Sequence, residues 1–399
     1  MNTTNSKRSI TLTPQSRTNT TTTRDVIASQ DLSSNNPEQE GAFVSLARQL
    51  MTCADTGQIQ HVARKFANVC RAFAEIHRKR GDCRIAIVPL KSAIARLDPD
   101  AKSVTPCHVD FLRACLLSKF YGCAMRVIDE HKTLSVNPAK TGLTLPDFLQ
   151  YCYYAGMVCI GEKHYKQAMR LLLGAITVPA VALSAIMIAA YKKYILLSLI
   201  VHSQLVPLPR YASQFVSRNI GSVCEEYQEL ATAFGSHEME SVAAVIAKHE
   251  AVYDRDHNLG LVRQCERSLC KKVIQRLTQT YLTLSLGDIA STAPVADAAA
   301  VERLVVSMIE GGEIFASVNQ REGMVSFYED TEEYNTNETL RTLQAEITGA
   351  IQVMEEIRAT DEDLSCNRTY LQNTTMKDSG RFAAEANLPD FASPLHNGQ

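Results

Sequence analysis

Between Lys271 and Phe327 the order of apolar and breaking residues leaves room for few folds. Val273, Leu277 and Tyr281 carry one face of a basic helix, Leu282–Leu286 alternates as a short strand, and Asp288-Ile289-Ala290 opens a second helix. Asp297 caps a third, in which Val301, Leu304, Val305, Met308 and Ile309 fall at i, i+3, i+4, i+7 and i+8. That is one buried stripe, and Gly311-Gly312 supplies its left-handed stop. Ile314, Ala316 and Val318 then alternate with Phe315 and Ser317, Asn319–Gly323 makes a turn, and Met324–Tyr328 returns as the second arm of a hairpin. Helix, strand, two helices and a hairpin in this order spell a winged helix. Such a unit reads either nucleic acid or another protein, and charge helps to separate the two.

Across residues 261–330 the chain carries seven Lys and Arg against nine Asp and Glu. Duplex binding requires several cations that displace counterions from phosphates, yet the third helix offers only Arg303 against Asp297, Glu302 and Glu310. The wing turn adds only Arg321, and an acidic run from Glu329 to Glu333 follows it. DNA readout is therefore not expected. One basic stripe remains, in which Arg263, Arg267, Lys271, Lys272 and Arg276 repeat at helical spacing. It reads either as a solvated face or as a docking surface for an acidic protein or single-stranded RNA.

With 399 residues, 45% of them hydrophobic, the chain can bury a sizeable core in two or three domains. A net charge of −2 selects no partner class. The twelve cysteines follow no secretory signal, and Cys115, Cys123, Cys152 and Cys159 sit in apolar helical patterns. They read as reduced core thiols of a cytoplasmic or nuclear protein. Residues 1–40 are Ser/Thr-rich and read as a disordered arm, because only Ile10 and Leu12 interrupt the polarity of the first two dozen residues and a transit peptide needs an apolar face. Leu171–Tyr191 is uncharged for long enough to raise a membrane span, but Val178-Pro179 divides it. Two buried helices of a soluble array explain that break better, and no membrane contact is expected.

From residue 41 to about 260 the periods are helical throughout. Tyr121/Ala124 and Tyr165/Ala168 share a three-residue offset, Cys83/Ala86 imitates it, and Ala93 and Ala175 lie seven residues further on. Small residues at these points allow close helix crossing. The irregular spacing suits a right-handed tetratricopeptide-like or HEAT-like array, with an ordinary bundle as the alternative. After the winged helix (261–330), a packing helix over 335–358 carries Leu340, Leu343, Ile347, Ala350, Met354 and Ile357 in three-four alternation, a coiled-coil or bundle seam. A polar tail, 359–399, gives that seam nothing to pack on, so neighbouring subunits are its expected cover.

Chemistry leaves no trace in the motifs. The histidines form no H-x-H, H-x-x-H or H-E-x-x-H pair and no two cysteines stand in C-x-x-C spacing. Phosphate-binding glycine loops and a G-x-S-x-G elbow are missing as well. Cys265 and Cys270 read as packing residues. No catalytic residue, metal site or cofactor is expected.

This mostly α architecture resembles the PCI family of scaffold subunits shared by the proteasome lid, the COP-nine signalosome and translation initiation factor three. The segments FLRACLLSKFY, YCYYAGMVCIGEKHY, AYKKYILLSLI, RDHNLGLVRQC, IQRLTQTYLTLSLGDIA and MIEGGEIFASVNQREGMVSF look like its signalosome branch. The resemblance implies a non-catalytic scaffold in a hetero-oligomer of PCI and metalloprotease-type subunits, acting on cullin-RING ubiquitin ligases through removal of a ubiquitin-like modifier. It also implies that winged helices associate side by side through their strands and that the C-terminal helices gather into a bundle. Carried onto this chain, those contacts fall on Ile314, Ala316, Val318, Val325 and Phe327, with the return strand as an open edge, and on Leu340, Leu343, Ile347, Met354 and Ile357. The lid, initiation-factor and RNA-binding branches are the alternatives. The family's additional N-terminal helices have no counterpart in the polar first forty residues.

Overall fold

The computed structural model describes residues 37–372 except 100–102, 131–135, 137, 181, 237, 293–297, 329–335 and 369. The polar arm up to residue 36, the Asp297 cap, the acidic run from Glu329 and the tail from residue 373 lie outside the described residues. The chain divides into two units, 1–329 and 330–399.

In the first unit, helices α1 (Pro37–Cys53), α2 (Thr56–His61), α3 (Ala63–Arg80), α4 (Cys83–Leu97), α5 (Pro106–Leu117) and α6 (Tyr121–Glu130) lead into a single turn, α7 (Pro138–Thr141). Then come α8 (Leu145–Gly161), α9 (Tyr165–Thr177), α10 (Ala185–His202), α11 (Gln214–Asn219), α12 (Glu225–Ser236), α13 (Met239–Arg255) and α14 (Leu259–Thr280). Packing runs in series, α4 on α3 and α5, α5 on α8, α8 on α9, α9 on α10, and α10 on α14. This is the stacking of a helical-repeat array, in which each pair buries its apolar face on the next.

Cys83, Tyr121 and Tyr165 are each the first residue of the second helix of a pair. Ala86, Ala93, Ala124, Ala168 and Ala175, which follow them, are all buried. Two residues before each of those starts stands a left-handed residue: Gly81 (φ 78°), Lys119 (φ 57°) and Lys163 (φ 63°). Each corner closes with paired bonds, Lys119 N–H to the Leu116 carbonyl and Phe120 N–H to that of Cys115, Lys163 to Ile160 and His164 to Cys159. These are Schellman stops that reverse the chain in two residues. The same corner recurs at His257 (φ 54°) before α14. First helices start differently: Thr105 with His108 and Thr144 with Asp147 form capping boxes, each with proline in the first turn. Close crossing is clearest at Gly156, where an added Cβ would lie 2.9 Å from Leu172 Cδ2.

Helix α10 is apolar and long enough to cross a membrane. It packs instead on α9, α12 and α14, and the expected break after α9 spans the Val178-Pro179 pair.

The winged helix follows the expected order: α14, β1 (Thr283–Ser285), α15 (Leu286–Thr292), α16 (Ala298–Glu310), β2 (Ala316–Asn319) and β3 (Met324–Phe327). Val301, Val305 and Met308 of α16 are buried with Ile274, Leu286, Ile289, Ile314, Val325 and Phe327. Tyr281 departs from the expected helical face: it caps α14 in an extended conformation and is exposed. The divide expected at 260/261 falls inside α14, whose Leu261, Val262, Cys265 and Leu269 belong to the array core and whose Ile274 belongs to the winged-helix core. One helix serves both.

The sheet order is β1-β3-β2, antiparallel throughout, with Leu284 opposite Val325 and Val318 opposite Val325 on the other side. The return strand is therefore central and not an open edge. Its second side is occupied because Thr283–Ser285 pairs with Met324–Ser326. The free edges belong to β1 and β2.

The second unit, by itself, is α17 (Asn337–Cys366), whose Thr336 side chain accepts the Thr339 N–H at 3.3 Å. It runs past the expected end at Arg358, since residues 359–366 contain no Pro or Gly and Arg358 pairs with Glu362 one turn on, Nε to Oε1 at 3.2 Å.

Candidate subunit interfaces

The ten residues expected at interfaces separate into two groups. Ile314, Val325 and Phe327 are buried in the winged-helix core, with Ala316 and Val318 half-buried against it. Their alternation marks the inside of the sheet. As side chains they are occupied within their own fold, so a contact made by this hairpin uses backbone and outward residues. The open edge of β2 provides backbone. Beside it lies a groove of about 570 Å³ lined by Glu302 and Val306 of α16 and by Ser317, Val318, Asn319, Gln320 and Arg321. A strand added there would meet unpaired N–H and C=O groups along β2.

The other group is open. Leu340, Leu343, Ile347, Met354 and Ile357 are between 51% and 67% exposed, and no residue of α17 is buried. Sequence reading missed Ile351, Val353 and Leu364, which are also exposed. Leu364 continues the three-four alternation one heptad beyond Ile357. Ile351 and Val353 flank the seam and widen it, a signal available from a wider helical wheel. In proteins most of a helix's stability comes from packing such a stripe rather than from propensity.

The basic stripe gains neighbours that the one-helix reading did not include. Arg267, Lys271, Lys272 and Arg276 of α14 line two cavities of about 470 and 330 Å³, and Lys163, Lys166 and Arg170 around the start of α9 line a third of about 830 Å³ that shares Tyr165 and Val201 with the first. Lys271 Nζ is 2.6 Å from Glu313 Oε1, which neutralises part of the trough and ties α14 to the turn after α16. Tyr165, His164 and His202 are the rings lining those cavities, and the Tyr165 hydroxyl donates to Gln264 Oε1 at 2.7 Å.

Where the array meets α14, polar groups are buried as a network. Lys193 Nζ donates to Asn258 Oδ1 at 2.5 Å, Asn258 Nδ2 to the Tyr227 hydroxyl at 2.9 Å, and that hydroxyl to Asp256 Oδ2 at 3.0 Å. Lys192 Nζ reaches the same carboxylate oxygen at 2.6 Å. Burial would raise the Asp256 pKa, but the bonds from Lys192 and Tyr227 outweigh it and hold the carboxyl below its usual range. Burial pulls Lys193 down, partly opposed by Asp256. The network satisfies the left-handed corner at His257 and locks α10 and α12 onto α14.

Among the described residues no cluster of three or more His, Cys, Asp and Glu could hold a metal ion. Burial pushes Cys115, Cys152 and Cys159 up to about 12, so they remain thiols at neutral pH, and Cys265 and Cys270 are packed in the array core or at its margin.

Residues 11–216 match the family model described as COP9 signalosome complex subunit 3, N-terminal helical repeats, and residues 246–329 match the PCI domain. The first match begins inside the stretch read from sequence as a polar arm. An Arabidopsis thaliana protein named COP9 signalosome complex subunit 3 is 36% identical over 327 residues, 82% of this chain and 74% of its own length. A Drosophila melanogaster protein of the same name is 31% identical over 351 residues, 84% and 78% of the two chains. Helical repeats running through α14 into a PCI winged helix, with matches of this extent, place the chain in the COP9 signalosome subunit 3 family.

Proposed function

We propose that this chain is a non-catalytic scaffold subunit of a signalosome complex, supporting removal of the ubiquitin-like modifier from cullins and so regulating cullin-RING ligases in cytoplasm and nucleus. The observation that carries the reading is α17, an apolar helix with no buried residue whose seam spans Leu340 to Leu364. Such a surface calls for other subunits' helices. The open β2 edge beside α16 offers a second contact, to a neighbouring winged helix. In this reading the array and winged helix hold positions in an assembly, and the chemistry belongs to a metalloprotease-type subunit elsewhere.

The test is co-purification of the tagged full chain from its native cells, with and without Leu343→Asp/Ile347→Asp. The wild type is expected to bring PCI and metalloprotease-type subunits and cullins, and the variant to lose them while keeping the circular dichroism and melting profile of the free chain. Undiminished assembly of the variant would overturn the role given to α17. Proteasome or ribosomal partners in place of signalosome subunits would overturn the assignment of complex.

A further inference from the structure

The winged-helix sheet has a second face, turned away from its core. Val325 and Phe327 point inward, so their neighbours Met324, Ser326 and Tyr328 point outward. The ladder continues beyond the regular strands: Phe327 N–H donates to the Leu282 carbonyl and Tyr328 N–H to that of Phe315, both at 2.8 Å. The register therefore sets Tyr281, Tyr328 and Phe315 side by side across all three strands. All three are exposed, at 47%, 61% and 44%. The next outward row is Thr283, Ser326 and Ser317, three hydroxyls. The Tyr328 hydroxyl lies 2.8 Å from Ser317 Oγ, so its ring leans along the sheet and leaves one face to solvent.

We propose that this aromatic row is a docking site for a proline-rich segment of a partner protein in the polyproline II conformation. Three observations select that occupant. The two outward rows carry no charged side chain, which suits an uncharged peptide and gives nothing to phosphates. Outer rings two strands apart are separated by about 9.6 Å, twice the usual strand spacing. One turn of polyproline II advances about 9.3 Å, so prolines at i and i+3 of a peptide laid across the strands meet Tyr281 and Phe315, with Tyr328 between them. The carbonyls of such a helix have no internal partners, and the hydroxyl row beside the rings supplies donors. Size argues against a second copy of the chain, since the outer face of three such short strands covers about 200 Å² against about 800 Å² per partner in a stable interface. The proposal does not use α17, and of the groove beside the β2 edge it shares only Ser317.

The test presents immobilised full-length chain with twelve-residue peptides having fixed Pro-x-x-Pro and random flanks, beside an equal pool with Gly-x-x-Gly. Retention of the proline pool at least tenfold over the glycine pool is expected, with that preference lost in Tyr328→Ser and in Phe315→Ser. Both side chains are exposed, and unchanged circular dichroism and melting would confirm that the variants fold. Equal retention of the pools, no retention, or a preference that survives both substitutions overturns the proposal. Retention of a single-stranded RNA on the same face, lost in the same variants, would also overturn it in favour of base stacking.

Discussion

The winged helix and α17 present the same kind of sequence, apolar residues at regular intervals, and end in opposite states. Val325, Phe327 and Ile314 are covered by α14, α15 and α16. Leu340, Leu343 and Ile347 are covered by no described residue of their own unit. Periodicity states that a surface must be removed from water and leaves open which chain removes it. Short turns bring the winged-helix stripes onto one another, whereas α17 is one uninterrupted helix with nothing in its described unit to fold against. The difference is one of stability against assembly, and it can be measured.

Phe327→Ala should cost the free chain about 3 to 5 kcal/mol in urea unfolding, the loss of a fully packed ring. Leu343→Ala in the same assay should stay within about 0.5 kcal/mol, as an exposed position does. Equal losses would break the comparison, because the seam would then have a partner within the free chain.

A second measurement probes tension inside the self-contained body. Asp110 lies in the array with Oδ2 lacking a hydrogen bond, and its only ion pair among the described residues is to Arg71 Nε at 3.9 Å, while the Arg71 Nη2 serves Asp147 at 2.5 Å. Burial raises its pKa from 3.8 to about 6, Arg71 partly opposing and Asp147 adding to the rise. The folded state thus holds the proton more tightly than the unfolded state, and this residue's contribution to stability falls as pH climbs from about 4 to about 6. Relative to Asp110→Asn, the wild type should lose roughly 2 to 3 kcal/mol across that window. Parallel pH profiles of the two proteins would refute the assignment.

Smaller effects test the corners. Asn258→Ala should cost about 2 kcal/mol by removing the acceptor of a buried ammonium, and Lys193→Met added to it should recover part of the loss. An additive double variant would mean that the pair is not coupled. Lys163→Gly should stabilise by about 0.5 to 1 kcal/mol, because a left-handed lysine carries a Cβ strain that glycine avoids. No change in melting would show that the corner is relaxed as it stands.

Those corners also explain what was legible in the sequence. Gly312 and Gly323 announce left-handed backbone by residue type, and the winged helix around them was readable to within two or three residues at most element ends. Lys119, Lys163 and His257 adopt the same conformation without announcing it, so the array showed its alanines and hid its turns. The central place of β3 was not readable, since alternation in Leu282–Leu286 predicts a strand without saying which neighbour it joins. The basic trough escaped because three of its seven cations lie about a hundred residues before α14. The aromatic row escaped for the same reason, as Phe315 and Tyr328 flank the hairpin and Tyr281 ends a helix.

Helix α14 has a consequence for anyone who would divide this protein. Its 22 residues span about 33 Å, and its two ends are rooted in different cores. A cut anywhere along it leaves one core missing a wall and the other with a dangling apolar stub. The winged helix is thus not a detachable module: a fragment meant to carry it alone must begin upstream of Leu259, and grafting it between relatives means exchanging the whole beam. Through the same beam, a pull on the wing in an assembled complex would be felt in the array as a load, with no joint between them to absorb it.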